Sequence, residues 1–285
     1  MCPYGGRLFT GGNEPVYTKG ELVVHALLVE TGRDLVLVDT GMGLDDVRTP
    51  SRRLGVGFVA GCRPILREEE TAARQVERLG FKIDDVTHVV VTHLDVDHAG
   101  GISDFAKAKI HVMKTEHEAA MARASLHEKQ RYRKVHFAGD PKWELHETGG
   151  EKWFGFESVR AVADDVLMIP LPGHTRGHAA IAVRTPAGYE PGGRTEWLLH
   201  CGDAYFFHGE MVEPPTCPKG LAWFQKFIAM DDKKRRANQQ RLRELRRDHG
   251  ARVRVFSAHC PKEFRKLMGA QSGRHSREIP VEKLA

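Results

Sequence analysis

Thr92-His93-Leu94-Asp95-Val96-Asp97-His98-Ala99-Gly100-Gly101 is the stretch on which the reading of this chain turns. It follows Val86-Thr87-His88-Val89-Val90-Val91, a run rich in β-branched residues that predicts a buried strand. Two histidines and two aspartates therefore gather at a strand's end, and Gly100-Gly101 lets the chain turn away. Neutral imidazole and carboxylate are the ligands that divalent first-row metals prefer. In an extended segment alternate residues face the same way, so His93, Asp95 and Asp97 are expected to point together. The competing reading is a polar loop with a chance His-Asp pair, and it leaves the downstream pattern unexplained.

That pattern repeats one arrangement, an apolar run ending in a ligand type. His174 follows Leu167-Met168-Ile169-Pro170-Leu171-Pro172-Gly173, Asp203 follows Trp197-Leu198-Leu199-His200-Cys201-Gly202, and His259 follows Val253-Arg254-Val255-Phe256-Ser257-Ala258. Strand ends that converge on one edge can build a polyvalent site from distant sequence. No Gly-x-Ser-x-Gly elbow and no P-loop is present, and the site as read needs no protein nucleophile.

The central stretch resembles the His-x-His-x-Asp-His signature of the metallo-β-lactamase-fold hydrolases. It matches at His93, Asp97 and His98 and departs at Asp95, where that family usually has histidine. Val38-Asp39-Thr40-Gly41, Pro172-Gly173-His174-Thr175-Arg176-Gly177-His178, Gly202-Asp203 and Ser257-Ala258-His259 resemble the other family motifs, in family order. The resemblance implies an α+β fold, a four-layer αββα sandwich with a metal site at one edge between the sheets. It further implies that His93 and His174 bind one metal, with Asp95 as third ligand. Asp97, His98 and His259 would bind a second, with Asp203 and a hydroxide bridging the two. Asp97 would also orient the hydroxide, and Asp39 would brace a ligand. The expected cofactors are thus two divalent ions, zinc first. Asp95 is a harder ligand than imidazole and would shift preference towards iron or manganese; the flavodiiron proteins are similar in having a carboxylate there.

The remaining candidates carry less. His178, four residues after His174, reads as a local brace. His200 and His208 flank Asp203 as supports or substrate contacts, whereas His88, His111 and His117 read as structural or exposed. Tyr205 is a candidate catalytic oxyanion donor; lactonases of this fold carry a tyrosine one residue further on, where Phe206 stands. Cys201 and Cys260 read as small buried thiols.

Composition bounds the rest. The apolar and charged fractions, 41% and 28%, are those of a globular protein, and no apolar run is long enough to span a bilayer. Cys2, Cys62, Cys201, Cys217 and Cys260 are odd in number and form no Cys-x-x-Cys pair, and the start lacks a secretory apolar core; a reduced, cytoplasmic setting is expected. The net charge of +5 owes much to Lys233-Lys234-Arg235-Arg236 through Arg246-Arg247. Leu242 and Leu245 give that run a thin apolar stripe, so a solvated helix face explains it better than a nucleic-acid footprint. The expected partner is a small-molecule substrate, with no nucleic acid and no membrane; a homodimer is allowed.

Along the chain, strands are expected at Glu21–Glu30, Asp34–Val38, Val86–Val91, Lys109–Met113, Phe154–Val162, Val166–Leu171, His178–Val183, Glu196–Cys201 and Val253–Ser257. Helices are expected at Glu68–Gly80, Glu116–His127, Lys219–Met230, the basic run, and Glu263–Leu267. Residues 41–67 read as a long loop whose Leu54, Val56, Phe58 and Val59 could wall a pocket. Residues 128–150 read as an irregular connection between two similar halves, about 1–140 and 150–285, of one domain. The function expected is a metal-dependent hydrolase opening a small ester, lactone or thioester, with lactone the first choice. The alternatives are an iron-dependent redox enzyme of the same fold, which should take up oxygen, and a phosphodiesterase or nuclease, which should bind nucleic acid in a salt-dependent way. A damaged, non-catalytic site would show as a purified chain without metal.

Overall fold

The computed structural model describes residues 1–157, 159–163, 165–186, 189 and 194–272. After the short helix α1 (Arg7–Thr10), strands β1 (Leu27–Glu30) and β2 (Leu35–Val38) form an antiparallel hairpin. Three helices follow, α2 (Leu44–Arg48), α3 (Pro50–Arg53) and α4 (Val56–Cys62), then α5 (Ala72–Arg78), capped by the Thr71 side chain. Strand β3 (Val86–Val90) leads into one helical turn, α6 (Val96–Ala99), and then β4 (Lys109–Met113), α7 (Lys114–Ala122), α8 (Leu126–Arg131) and β5 (Lys142–His146). The first sheet has the order β1-β2-β3-β4-β5, with β2 through β5 parallel.

A small hairpin, β6 (Lys152–Trp153) and β7 (Phe156–Glu157), opens the second half. Strands β8 (Val159–Ala163), β9 (Val166–Pro170), β10 (Ala179–Arg184), β11 (Trp197–His200) and β12 (Val253–Phe256) form a second sheet in the order β12-β11-β10-β9-β8. Between β11 and β12 come α9 (Lys219–Ile228) and α10 (Asp232–His249), and α11 (Pro261–Ser272) closes the described chain.

The side-chain alternation of the strands dictates the layers. Val36, Val38, Val90 and Met113 of the first sheet meet Met168, Ala179, Ile181 and Val183 of the second, filling the space between the sheets. Leu35, Leu37 and Val89 point the other way and pack with Ala73 and Val76 of α5. Ala180, Ala182 and Leu199 pack with Leu242 and Leu245 of α10. Strands buried on both faces explain the near-continuous apolar runs. Each fully buried Val, Ile or Met contributes roughly 1.5–3 kcal/mol. The result is the expected four-layer αββα sandwich.

Several local expectations are corrected. Residues 41–67 are helical over α2 to α4, held by the buried Asp46–Arg53 pair at 2.6 Å, with His136 2.9 Å from the same carboxylate oxygen. Leu54 is buried while Val56 is exposed, so these two do not share a pocket wall. The single helix expected over Glu116–His127 breaks, because Arg123 takes a left-handed conformation and Ser125 caps α8 by exchanging bonds with Glu128. The expected strand Phe154–Val162 turns at Phe154-Gly155 and continues as β8; Ser158 within it, and 273–285 at the end of the second half, lie outside the described residues. β5, expected as irregular, is an edge strand whose charges hid it.

Candidate metal centre

Asp39, at the end of β2, is fully buried and left-handed, with φ 54°. That conformation is uncommon outside glycine, and its carboxylate is correspondingly tied down. It accepts from the Thr92 amide at 2.7 Å and the Thr92 hydroxyl at 2.8 Å, and lies 2.8 Å from His98 Nδ1. Since the Thr92 hydroxyl proton goes to Asp39, its oxygen is left to accept from His93 Nδ1 at 2.9 Å. His259 Nδ1 meets the Val23 carbonyl at 2.8 Å. These partners assign the proton to Nδ1 in all three rings and leave each Nε2 as a bare lone pair.

The lone pairs face one another. His93 Nε2 is 3.4 Å and His174 Nε2 3.0 Å from Asp95 Oδ2, and the same two nitrogens are 3.9 and 3.3 Å from Asp203 Oδ2. The other Asp203 oxygen, Oδ1, lies 3.1 Å from His98 Nε2 and 3.0 Å from His259 Nε2. Asp97 Oδ2 approaches His259 Nε2 at 3.7 Å. Asp203 thus divides two groups, His93–Asp95–His174 and Asp97–His98–His259, each gathered closely enough to hold an ion. All seven sequence-predicted ligand candidates are brought together.

Acceptors facing acceptors repel unless a cation sits among them. Burial works against charge throughout the site, yet with no cation among them the Asp203 and Asp39 carboxylates favour a second proton on His98, holding it well above the ordinary histidine range, and Asp203 lifts His259; an ion at Nε2 would take that proton's place. Against its own burial, Asp203 is held well below the carboxylate range by His259 and His98. His174, pushed down by burial and by Arg131, falls to about 3 and stays neutral. His93 Nε2, Asp95 Oδ1 and Asp203 Oδ1 are buried without a hydrogen-bond partner. Buried polar atoms rarely go unpaired, and nitrogen and oxygen donors in this number fit divalent metal ions.

The sequence pattern of the metallo-beta-lactamase superfamily matches residues 20–186. This chain belongs to the metallo-beta-lactamase superfamily. Among its relatives is a probable metallo-hydrolase of Mycobacterium tuberculosis, 42% identical over 84% of this chain and 75% of that protein. An N-acyl homoserine lactonase of Bacillus thuringiensis is 29% identical over 59% of this chain and 62% of that one. The fold superimposes on a solved N-acyl homoserine lactone hydrolase with its product N-hexanoyl-L-homoserine bound at the catalytic metal centre. The TM-score is 0.68 at 22% identity, covering 93% of this chain and 92% of that one. The chain is a metallo-hydrolase of this superfamily.

Backbone packing explains how the superfamily motifs converge here. Gly202 is left-handed, and a Cβ on it would come 2.6 Å from His178 Nε2, so only glycine lets Asp203 turn inward. His178 packs against that turn, accepting from the Asp203 amide at 3.0 Å while its Nδ1 donates to the Leu171 carbonyl. The basic helix α10 grips two of the candidate ligand loops from its buried side. Asn238 donates to the Pro172 carbonyl at 2.8 Å and Gln239 to the Ala204 carbonyl at 2.9 Å.

Tyr205 is a correction. Its hydroxyl is buried among the core side chains under the second sheet and bonds Glu263 at 3.2 Å, so it does not serve as the oxyanion donor. Phe206 takes the place facing the centre, 4.6 Å ring to ring from His259 and 6.3 Å from His174. His200 lies behind, its Nε2 donating to the His25 carbonyl, and His208 sits beside Cys260 and Lys262. His88, His111 and His146 line up across β3, β4 and β5 at 2.9 Å spacings, apart from the centre.

Two residues were missed. Glu116 in the first turn of α7 is fully buried and accepts from the Leu94 and Gly177 amides, both at 3.0 Å, and from the Tyr132 hydroxyl. It thereby ties the His93 loop to the His174 loop. Arg131, at the end of α8, lies 2.8 Å from Asp95 and 3.1 Å from His174 Nε2. In the sequence, Arg131 stands within Lys129-Gln130-Arg131-Tyr132-Arg133-Lys134, a polar run where nothing distinguishes it from solvated charge.

Proposed function

We propose that this metallo-hydrolase opens the ring ester of a small lactone carrying an apolar substituent, using two divalent ions, zinc first. The observation that carries the reading is Asp203, whose two oxygens face two separate histidine–aspartate groups. His93, Asp95 and His174 would hold one ion and Asp97, His98 and His259 the other. Bound there, the ions would acidify water and polarise the scissile carbonyl. Asp97 can take a proton of the attacking water and orient it. Asp39 and Thr92 keep the imidazole lone pairs aimed inward. An apolar wall stands beside the centre: Phe206 packs with Leu22, Leu221, Phe224 and Ile228, which suits an acyl chain and excludes bulk water. The lactonase relatives support the same substrate class. An iron redox role would draw on the charge of Asp95, but Arg131 neutralises that charge.

The test is elemental analysis of the purified protein beside a panel of lactones, thioesters and phosphodiesters. About two ions per chain and fastest turnover of acyl lactones support the proposal. Metal-free protein, or a preference for phosphodiesters, overturns it.

A further inference from the structure

The two halves of the centre have the same inventory, two histidines and one aspartate each, with Asp203 shared. They differ in the charges set behind them: the Asp39 carboxylate backs His98 in one half, and a guanidinium faces Asp95 in the other. Arg131 is buried, its side chain 5% exposed, and its Nη1 lies 2.8 Å from Asp95 Oδ2, the oxygen that also faces His93 and His174. Its Nη2 is anchored on the Ile228 carbonyl at the end of α9, so the guanidinium is fixed in place and not free to receive substrate. Among the described residues no lysine or arginine pairs with Asp97 in the other half.

We infer that Arg131 is a positioning residue that makes the metal centre unequal, so that the Asp97–His98–His259 half fills first and the Asp95 half holds its ion weakly and exchangeably. This inference rests on the proposed metal reading. Physically, Asp95 replaces a neutral imidazole by an anion, and Arg131 restores neutrality. A dication entering beside Asp95 therefore meets a carboxylate whose charge is already spent on a guanidinium, and it feels that guanidinium's repulsion across a water-poor site. The Asp97 half carries no such penalty. The Arg131 contact to His174 Nε2 at 3.1 Å adds to the asymmetry, because it engages the lone pair that an ion would need.

The experiment is calorimetric titration of Zn²⁺ and Mn²⁺ into chelator-stripped protein, with cobalt absorption spectra as a second readout. The native chain should bind one ion tightly and a second at least about tenfold more weakly, the scale on which residues behind the ligands alter metal affinity. Arg131→Met should tighten the weak step by about tenfold or more, closing the gap, whereas Arg131→Lys, which keeps the charge, should leave it open. A residue that merely filled space would make both variants lose affinity. Arg131→Gln provides a second neutral variant should the methionine one fail to fold, as judged by circular dichroism. Two equal steps in the native chain, or an unchanged or weakened second step in both neutral variants, overturns the inference while leaving the metal reading intact. Absence of any binding by native and variant chains overturns the metal reading and this inference with it.

Discussion

At the scale of single residues, Asp97→Asn is the sharpest test of the chemistry. It keeps the shape of the carboxylate but removes both its charge towards the ion and its capacity to take a proton, so lactone turnover should fall by about 10²-fold or more, with the circular dichroism unchanged; unaltered turnover would reject both roles of Asp97. Asp95→His should raise zinc content relative to manganese or iron, read by elemental analysis, because imidazole is softer than carboxylate. A third prediction concerns Glu263. Burial raises it to about 7, against the bonds it accepts from Ser257 and Tyr205. An unfolded glutamate titrates near about 4.3, so the native state holds this proton more tightly. The associated stability is fully present below about pH 4 and is lost as pH rises to about 7. Glu263→Gln should remove that loss, gaining on the native protein by on the order of 2–3 kcal/mol between pH 5 and pH 8 in denaturation experiments. Equal pH slopes would mean that the carboxyl ionises normally. The candidate ligands are legible in sequence because each of their segments closes an apolar run. The place of Tyr205 is not legible, because position along the chain does not say which side of a turn a hydroxyl occupies, and the Gly202 turn sends it into the core.

At the scale of elements, the site depends on contacts between loops that no local pattern announces. Glu116 looks like one more acidic residue in a helix's first turn, but it is the acceptor shared by the Leu94 and Gly177 amides. Glu116→Ala would leave both amides and the Tyr132 hydroxyl without a partner. It should cost about 3 kcal/mol or more in urea unfolding of the metal-free protein, with Glu116→Gln costing less; a loss under 1 kcal/mol would show that water replaces the carboxylate. The breaks in helices followed local chemistry and were partly readable, as in the Ser125–Glu128 capping box. β5 was unreadable because an edge strand can carry Lys142, Glu144 and His146 without burying an apolar face.

At the scale of the molecule, the candidate ligands come from both sheets: His93 to His98 follow β3, whereas His174, Asp203 and His259 follow β9, β11 and β12. Metal binding should therefore stabilise the two sheets together. With ion at about a hundred times its dissociation constant the gain is about 2.7 kcal/mol. Calorimetry with and without chelator should show one transition shifted by roughly 5–10 °C; movement of only part of the transition would show that the sheets unfold separately. The layered plan is legible because strand periodicity and the ordered motifs agree, and the Leu242 and Leu245 stripe marks the basic run as a packed helix with a solvated face. Its grip on the ligand loops comes from Asn238 and Gln239 on the inner side, while Lys233, Arg236 and Arg247 point to solvent. That division leaves the outer face of α10 open to engineering: a dye, a resin linkage or a wholesale exchange of its charges could be introduced there without loosening either loop.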